Sequence, residues 1–218
     1  MLRSLILLFI PAIFCGYLTI SFPTQTAFDF LSVQNEILKT GSEDSGLAKK
    51  LPDQVMALMD TSMEIMEWKE GLLNKDLKND FIVALQSKYL RENYDKGSVD
   101  DKRTLMIFLS GSENNYSILC ENPRIILCKR CGGQSGDPFA GINVRAGEVI
   151  IRHAGGADWK WQQEIVFKWN EEKSTFLLKK DETLSFNAAT PARKKKVKTI
   201  GEGVIGQTIE SFDIYVKR

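Results

Sequence analysis

Residues 131–169 read CGGQSGDPFAGINVRAGEVIIRHAGGADWKWQQEIVFKW, and this stretch says most about the fold. Apolar and polar residues alternate in two parts of it, first around Ala146-Gly147 and then from Trp159 to Trp169. A period of two places successive side chains on opposite faces, as in a strand with one buried face. A glycine-containing pair between two such runs favours a tight hairpin turn. The sequence therefore predicts consecutive antiparallel hairpins here.

The second alternating part is rich in tryptophan. One face holds mostly large apolar side chains, with Gln163 as its polar exception; its apolar members are Trp159, Trp161, Ile165, Phe167 and Trp169. Each aromatic ring buries about 150–250 Å² when it enters a core. We therefore expect this face to bury its three tryptophans, with an exposed ligand platform as the alternative.

Other apolar runs bounded by turn residues predict further strands. They cover residues 63–68, 81–85, 104–109, 116–120, 125–127, 142–151, 175–178 and the tail from 205 to 216. Val55, Leu58 and Met59 share one face of a short helix, for which Asp53 is the predicted N-cap. We expect a mainly β fold of twisted antiparallel sheets with one short N-terminal helix. A partial β-propeller-like arrangement fits best, and a β-sandwich is the alternative.

The composition is that of an ordinary globular protein. The 218 residues carry a formal net charge of +1, with 26% charged and 43% hydrophobic residues. This length allows a sizeable core without a metal or a disulfide. The balanced charge gives no reason to expect nucleic acid as a partner.

The N-terminus predicts export. Arg3 precedes an apolar run from Leu5 to Ile20, and Thr19 and Ser21 are small residues suited to cleavage after Ser21. We expect a signal peptide at 1–21, a flexible linker at 22–50 and a β-rich domain at 51–218. The protein would then be periplasmic or secreted. An uncleaved membrane anchor and lipidation at Cys15 are the alternatives.

Export also bears on the remaining cysteines. An oxidising compartment favours a disulfide, and Cys128 and Cys131 form a CxxC sequence, while Cys120 is left over. A structural disulfide in a loop is expected. A thioredoxin-like redox site is less favoured because Gly132-Gly133 follows at once, and glycine is a poor helix former. A zinc site with His153 lacks paired ligand spacing.

A basic run lies near the C-terminus, where residues 193–198 read RKKKVK. In an exported chain such a run does not serve as a nuclear or nucleic-acid signal. We expect a solvated loop. Weak attraction to anionic lipid or polysaccharide is the alternative.

Residues 70–83, EGLLNKDLKNDFIV, resemble the G-D-x-N-x-D-G-x-x-D calcium loop of FG-GAP-type β-propeller repeats, which a strand follows. Asn74, Asp76 and Asp80 match its ligand positions, while Leu72 and Leu77 replace an aspartate and the turn glycine. Calcium binds to such alternating oxygen side chains. With two positions lost, we expect a loop that keeps its shape without metal, and a bound calcium ion is the alternative. No other cofactor is expected.

Residues 131–161 also resemble a C-GG-x-x-GDPF…G-x-L-x-I-x-H-x-GGS-x-W-x-W pattern. It belongs to a family of exported bacterial proteins, often lipoproteins, of uncharacterised role. The resemblance extends over about 51–179, and Ala157 stands where the family has serine. It implies an exported location and a β-rich fold, and it implies no activity.

The same segments supply the predicted site, a rim formed by residues 132–139 and 155–161. Its candidate ligand-binding residues are Asp137, Phe139, Asp158, Trp159 and Trp161. We expect a non-enzymatic envelope or secreted module, structural or ligand-binding, with envelope polysaccharide or protein as its partner. No catalytic residue is assigned. The alternative is an exported hydrolase that uses Asp137 and Asp158 on cell-wall or glycan substrates.

Overall fold

The computed structural model describes residues 50–89, 103–112, 115–190, 196–199 and 206–216, with the backbone alone considered for 196–199. The predicted signal peptide lies outside the described residues, as does the predicted linker except for Lys50. Among the described residues, no helix has both the length and the hydrophobicity that a membrane span requires.

The first sheet is a four-stranded antiparallel meander, and a short helix precedes it in the chain. Helix α1 spans Asp53–Ala57. The strands pair in chain order, so each is bonded to the next; they are β1 (Met63–Gly71), β2 (Asp80–Ser87), β3 (Arg103–Ser110) and β4 (Tyr116–Asn122).

The second sheet is a five-stranded antiparallel meander, also in chain order. Its strands are β5 (Phe139–Arg145), β6 (Glu148–Gly156), β7 (Trp159–Asn170), β8 (Thr175–Asn187) and β9 (Lys196–Thr199). The predicted hairpin around Ala146-Gly147 is confirmed, because Arg145 pairs with Glu148 and Gly147 has a φ of 70°. A positive φ at this turn position is the reason for glycine there.

One hydrophobic core lies between the two sheets. It contains buried residues of the first sheet, such as Ile82 and Ile107, together with Ile151 and Phe167 of the second. A hydrogen bond of 2.8 Å from the backbone N–H of Ile142 to the carboxylate of Glu67 also joins β5 to β1. Burial of this shared apolar surface is what holds the sheets against each other.

Helix α1 covers the outer face of the first sheet. Leu51 and Val55 pack with Phe81, Val83 and Phe108 in a second cluster. Strand β2 is therefore buried on both faces, as its uninterrupted apolar sequence indicates. The predicted fold class is confirmed: the protein is mainly β, with antiparallel sheets and one short helix. The described strands close into neither a barrel nor a propeller.

Three local predictions are wrong. Residues 125–127 and the described part of the 205–216 tail form turns, and Thr208 makes only an isolated bridge to Leu177. The apolar pattern there reflects burial, because Ile125, Ile126, Ile209 and Phe212 all enter the core. The amide of Asn122 donates to the carbonyls of Ile209 and Phe212 at 2.7 and 2.8 Å. These bonds satisfy two backbone carbonyls of the tail, which therefore need no neighbouring strand as a partner.

The third wrong prediction is the N-cap of α1. Asp53 is the first helical residue, Pro52 occupies the cap position, and the Asp53 carboxylate accepts a bond from Lys50 at 2.9 Å. Proline's fixed φ suits an entry into a helix. Because the helix ends at Ala57, Leu58 is left exposed while Val55 is buried.

The basic run also differs from its prediction. Lys196–Thr199 form β9, which pairs with residues Glu182 to Ser185 of β8, so this part is a strand and not a loop. Residues 191–195 lie outside the described residues. The run therefore ends as an edge strand of the second sheet.

Candidate functional site

Strand β7 has two halves that differ in burial. Ile165 and Phe167 are fully buried in the shared core, and Trp169 packs against it. Trp159 has 46% of its surface exposed, and neither Trp159 nor Trp161 belongs to or packs against either core cluster. The prediction that one face buries all three tryptophans is therefore wrong. The strand continues past the covered part of the sheet, so the same face becomes open to solvent.

The two segments predicted to form a rim do meet. The carbonyl of Gly132 accepts the backbone N–H of Gly156 at 2.9 Å, and the carbonyl of Pro138 accepts that of Ala154 at 2.8 Å. A 3-10 turn over Gly133–Ser135 completes the contact. We call residues 132–139 and 155–161 together the tryptophan rim.

Side-chain hydrogen bonds also cross the tryptophan rim. The hydroxyl of Ser135 donates to the carbonyl of Gly156 at 2.7 Å, and the ammonium of Lys160 donates to the hydroxyl of Ser135 at 3.0 Å. The carbonyl of Asp158 accepts the N–H of Ala188 at 2.8 Å. The hairpin tip is therefore tied both to the 132–139 loop and to the end of β8.

Gly155 is required by close packing. A Cβ at this position would lie 2.6 Å from Cζ2 of Trp161 and 2.8 Å from the carbonyl oxygen of Gly132. Both distances are shorter than any ordinary contact. The indole of Trp161 thus lies directly over the Gly155 backbone, which fixes the ring's position.

Polar residues of β8 share a face with the two tryptophans. Directly opposed residues of paired strands project to the same side of a sheet. Trp159 is opposite Asn187, Trp161 is opposite Ser185, and Gln163 is opposite Thr183. All except the exposed Trp159 are half-buried. The open half of β7 therefore presents two indoles beside hydroxyl and amide groups.

Asp137 is held in an ion pair with a buried arginine. Arg103, almost completely buried at the start of β3, binds both carboxylate oxygens of Asp137, with a distance of 2.7 Å from Nη1 to Oδ1. The same Nη1 donates to the carbonyl of Leu127 at 3.1 Å. Burial raises the pKa of Asp137, but the bonds from Arg103 and from the N–H of Phe139 outweigh it and lower that pKa below its ordinary value. Asp137 thus stays ionised.

His153 lies next to this ion pair and is almost completely buried. Its Nε2 accepts the N–H of Leu127 at 3.2 Å, and its ring meets Phe139 edge-on, with centroids 6.5 Å apart. Burial, aided by the positive charge of Arg103, lowers the pKa of His153 to about 4. The imidazole is therefore neutral near pH 7, and Nδ1 has no hydrogen-bond partner in the described structure.

The five predicted ligand-binding residues therefore divide into two groups. Asp158, Trp159 and Trp161 lie at the tip of the β6–β7 hairpin and on its open face. Asp137 binds Arg103, and Phe139 packs against the shared core. Sequence reasoning missed Arg103. Its only local signal is its position directly before an apolar strand, which does not distinguish a buried cation from a solvated one.

The predicted disulfide between Cys128 and Cys131 is confirmed. Cys120 is a buried free thiol on β4, and burial raises its pKa to about 12. It therefore stays protonated and unreactive. The disulfide ends one residue before Gly132 and so lies beside the tryptophan rim.

The loop that resembles a calcium site is organised by hydrogen bonds to its own backbone. Asn74 and Asp76 accept the N–H groups of Asp76 and Lys78 at 3.0 and 2.9 Å. Leu77 has a φ of 61°, so the turn keeps the conformation for which the resembled loop uses glycine.

Asp80 is completely buried at the end of this loop. Its two oxygens accept the N–H groups of Leu73 and Ser110 at 3.0 and 2.9 Å, which ties the loop to β3. Among the described residues, no group of three or more His, Cys, Asp or Glu side chains converges as metal ligands would. In this structure the side-chain oxygens of Asn74, Asp76 and Asp80 accept backbone N–H groups.

Comparisons of this chain with protein-family models, with curated proteins and with solved structures find no match.

Proposed function

We propose that this protein is an exported, non-enzymatic β-rich module that binds a polysaccharide of the cell envelope at the tryptophan rim. One observation carries the proposal: Trp159 and Trp161 continue the apolar face of β7 beyond the core, where Trp159 is 46% exposed. An exposed large aromatic residue has no stabilising role comparable to that of a core residue. Its flat face is suited to stacking on a sugar ring.

The surroundings of the two indoles support a sugar ligand. Ser185, Asn187 and Thr183 lie on the same face, and they supply hydroxyl and amide groups that can bond to sugar hydroxyls. Binding sites of small ligands combine aromatic surface with a few placed polar groups in this way. The hydrogen bonds across the rim also hold the hairpin tip in place, which reduces the entropy lost on binding.

The positions of the family motifs support the same assignment. The C-GG and GDPF segments lie about twenty residues before the H-x-GG segment that leads into W-x-W, yet they contact it through the Gly132–Gly156 and Pro138–Ala154 hydrogen bonds. Two motifs that form one surface give a physical reason for occurring together. We propose on this basis that the chain belongs to the exported bacterial family that it resembles, and that it is periplasmic or secreted.

The arrangement of Asp137 counts against the alternative of a hydrolase. A glycosidase acid must hold a proton at working pH, which requires a raised pKa. The pKa of Asp137 is lowered, and its carboxylate is occupied by Arg103. Glycan turnover by the unmodified protein that Asp137→Asn abolished while the variant kept its fold would establish this alternative.

The experiment is a binding assay with insoluble cell-wall polysaccharide and with soluble oligosaccharides, followed by titration calorimetry. We expect Trp159→Ala to weaken binding at least tenfold while the protein stays folded, with a fall in melting temperature of about 2–8 °C, since only part of the side chain is buried. Ile118→Ala is the matched control, because Ile118 is exposed to a similar extent on β4, in the other sheet.

Binding that is unaffected by both Trp159→Ala and Trp161→Ala would contradict the proposal. So would the absence of binding to every saccharide of the panel by the unmodified protein. A large loss of stability in Trp159→Ala would show that this residue belongs to the core.

A further inference from the structure

We propose that the ligand of the tryptophan rim is an acidic polysaccharide, a chain of sugars that carry carboxylate groups, and that β9 provides the selection for charge. This inference rests on the proposed function and deepens it. It gives a role to the basic run near the C-terminus, of which Lys196 and Lys198 are the lysines that lie on a described strand.

The register of the second sheet places these two lysines in line with the tryptophan face. Trp161 is opposite Ser185 of β8, and Ser185 is opposite Lys196 of β9. In the next row, Gln163 is opposite Thr183, which is opposite Lys198. Opposed residues of neighbouring strands occupy the same face. Lys196 and Lys198 therefore occupy positions on the face that carries the indoles.

The spacing of the strands gives this face the size of a short oligosaccharide. Neighbouring strands lie about 4.8 Å apart, so two spacings separate Trp161 on β7 from Lys196 on β9 by about 10 Å. A sugar that stacks on the indole can thus extend across the hydroxyl groups of β8. The next sugar of the ligand, which carries a carboxylate, then lies near the edge strand β9.

Lys160 adds a cation at the hairpin tip. Its ammonium donates to the hydroxyl of Ser135, and among the described residues it forms no ion pair. Two lysines of β8, by contrast, are paired with glutamates: Lys180 binds Glu164 at 3.2 Å, and Lys179 binds Glu148. A lysine whose partner is a hydroxyl keeps its charge available to an anionic ligand.

Acidic residues near the rim do not cancel this charge. Asp137 is paired with Arg103, and Asp181 is buried and accepts the amide of Gln163 at 2.8 Å. Asp158 is exposed at the hairpin tip, and its single carboxylate is outnumbered by the ammonium groups of Lys160, Lys196 and Lys198. The charge complementarity therefore favours an anion. The adjacent indoles favour a sugar chain over a lipid surface, because they stack on ring faces.

The experiment is titration calorimetry with an oligogalacturonate and with the same oligosaccharide after reduction of its carboxyl groups, which removes the charge and keeps the chain. We expect the unmodified protein to bind the acidic form at least tenfold more tightly at low salt. We expect this preference to shrink as ionic strength rises, because salt screens exposed charges.

Two variants locate the selection. Lys196→Gln combined with Lys198→Gln should lose most of the preference for the acidic form, with a small remainder from Lys160, and should keep the affinity for the reduced form. The matched control combines Lys75→Gln with Lys173→Gln, which changes two lysines in the β1–β2 and β7–β8 turns, and it should keep the full preference. Circular dichroism and the melting temperature establish that both double variants are folded.

Equal affinity of the unmodified protein for the two forms would overturn this inference and leave the proposed function standing. Loss of the preference in the control would also overturn it, since net charge alone would then explain selection. Binding of neither form, with binding to phosphatidylglycerol vesicles that Trp159→Ala does not change, would overturn both the inference and the proposed function in favour of a lipid surface.

Discussion

The two halves of strand β7 carry the same alternation but serve different purposes. From Ile165 to Trp169 the apolar side chains enter or pack against the core between the sheets. From Trp159 to Gln163 the same face is half-buried or exposed. A period of two therefore determines which face of the sheet a side chain occupies. Whether that face is buried depends on which other part of the protein packs against it. An apolar face that extends beyond its cover is a candidate binding surface.

The largest expected contrast is between Phe167 and Trp159. Phe167→Ala should lower the free energy of unfolding by about 3–5 kcal/mol, because a fully buried ring leaves a cavity. Trp159→Ala should lower it by about 1–2 kcal/mol, because nearly half of the Trp159 surface is already exposed to solvent. Urea denaturation at pH 7 measures both. Comparable losses in the two variants would mean that the halves of β7 do not differ.

His153 lies in the last row before the core, opposite Gln163. Its pKa is about 4 in the folded protein, against an ordinary value of 6.5, because burial disfavours the charged form. The unfolded chain therefore binds this proton first, and stability should fall as the pH drops from 6.5 towards 4. The full loss is about 3 kcal/mol, at about 1.4 kcal/mol per pH unit.

Denaturation at a series of pH values tests this expectation. His153→Gln, which offers an oxygen to the N–H of Leu127, should flatten the slope between pH 6.5 and 4. If the unmodified protein loses stability only below pH 4, carboxylates such as Asp137 are responsible instead of His153. Their stabilisation disappears as the pH falls through their lowered folded pKa values.

A smaller effect is expected from Gly155→Ala, which acts on the contact between the rim and β6. The added methyl group would collide with the indole of Trp161 and with the Gly132 carbonyl, so we expect a loss of about 1–3 kcal/mol. The penalty should be smaller in a Trp161→Ala background, because one of the two collisions is then removed. Equal penalties in both backgrounds would show that Trp161 does not lie over Gly155.

The ion pair of Arg103 with Asp137 illustrates why part of the site is invisible in the sequence. Its partners are 34 residues apart, and nothing local distinguishes Arg103 from a solvated arginine. The tail shows the same limit. The side-chain amide of Asn122 binds the carbonyls of Ile209 and Phe212, which are 87 and 90 residues away. Because this distant amide satisfies the carbonyls, the tail can form turns although its apolar pattern is typical of a strand.

Features that depend on neighbours along the chain were predictable from the amino-acid pattern alone. Alternation specified the strands, glycine specified the turn at Gly147, and CxxC spacing specified the disulfide, because each depends on local geometry. The packing of the folded chain accounts for the burial of Arg103 and His153, the formation of β9 from part of the basic run, and the exposure of Trp159. All of these features depend on contacts between residues far apart in the chain. Such contacts form only when the whole core packs together.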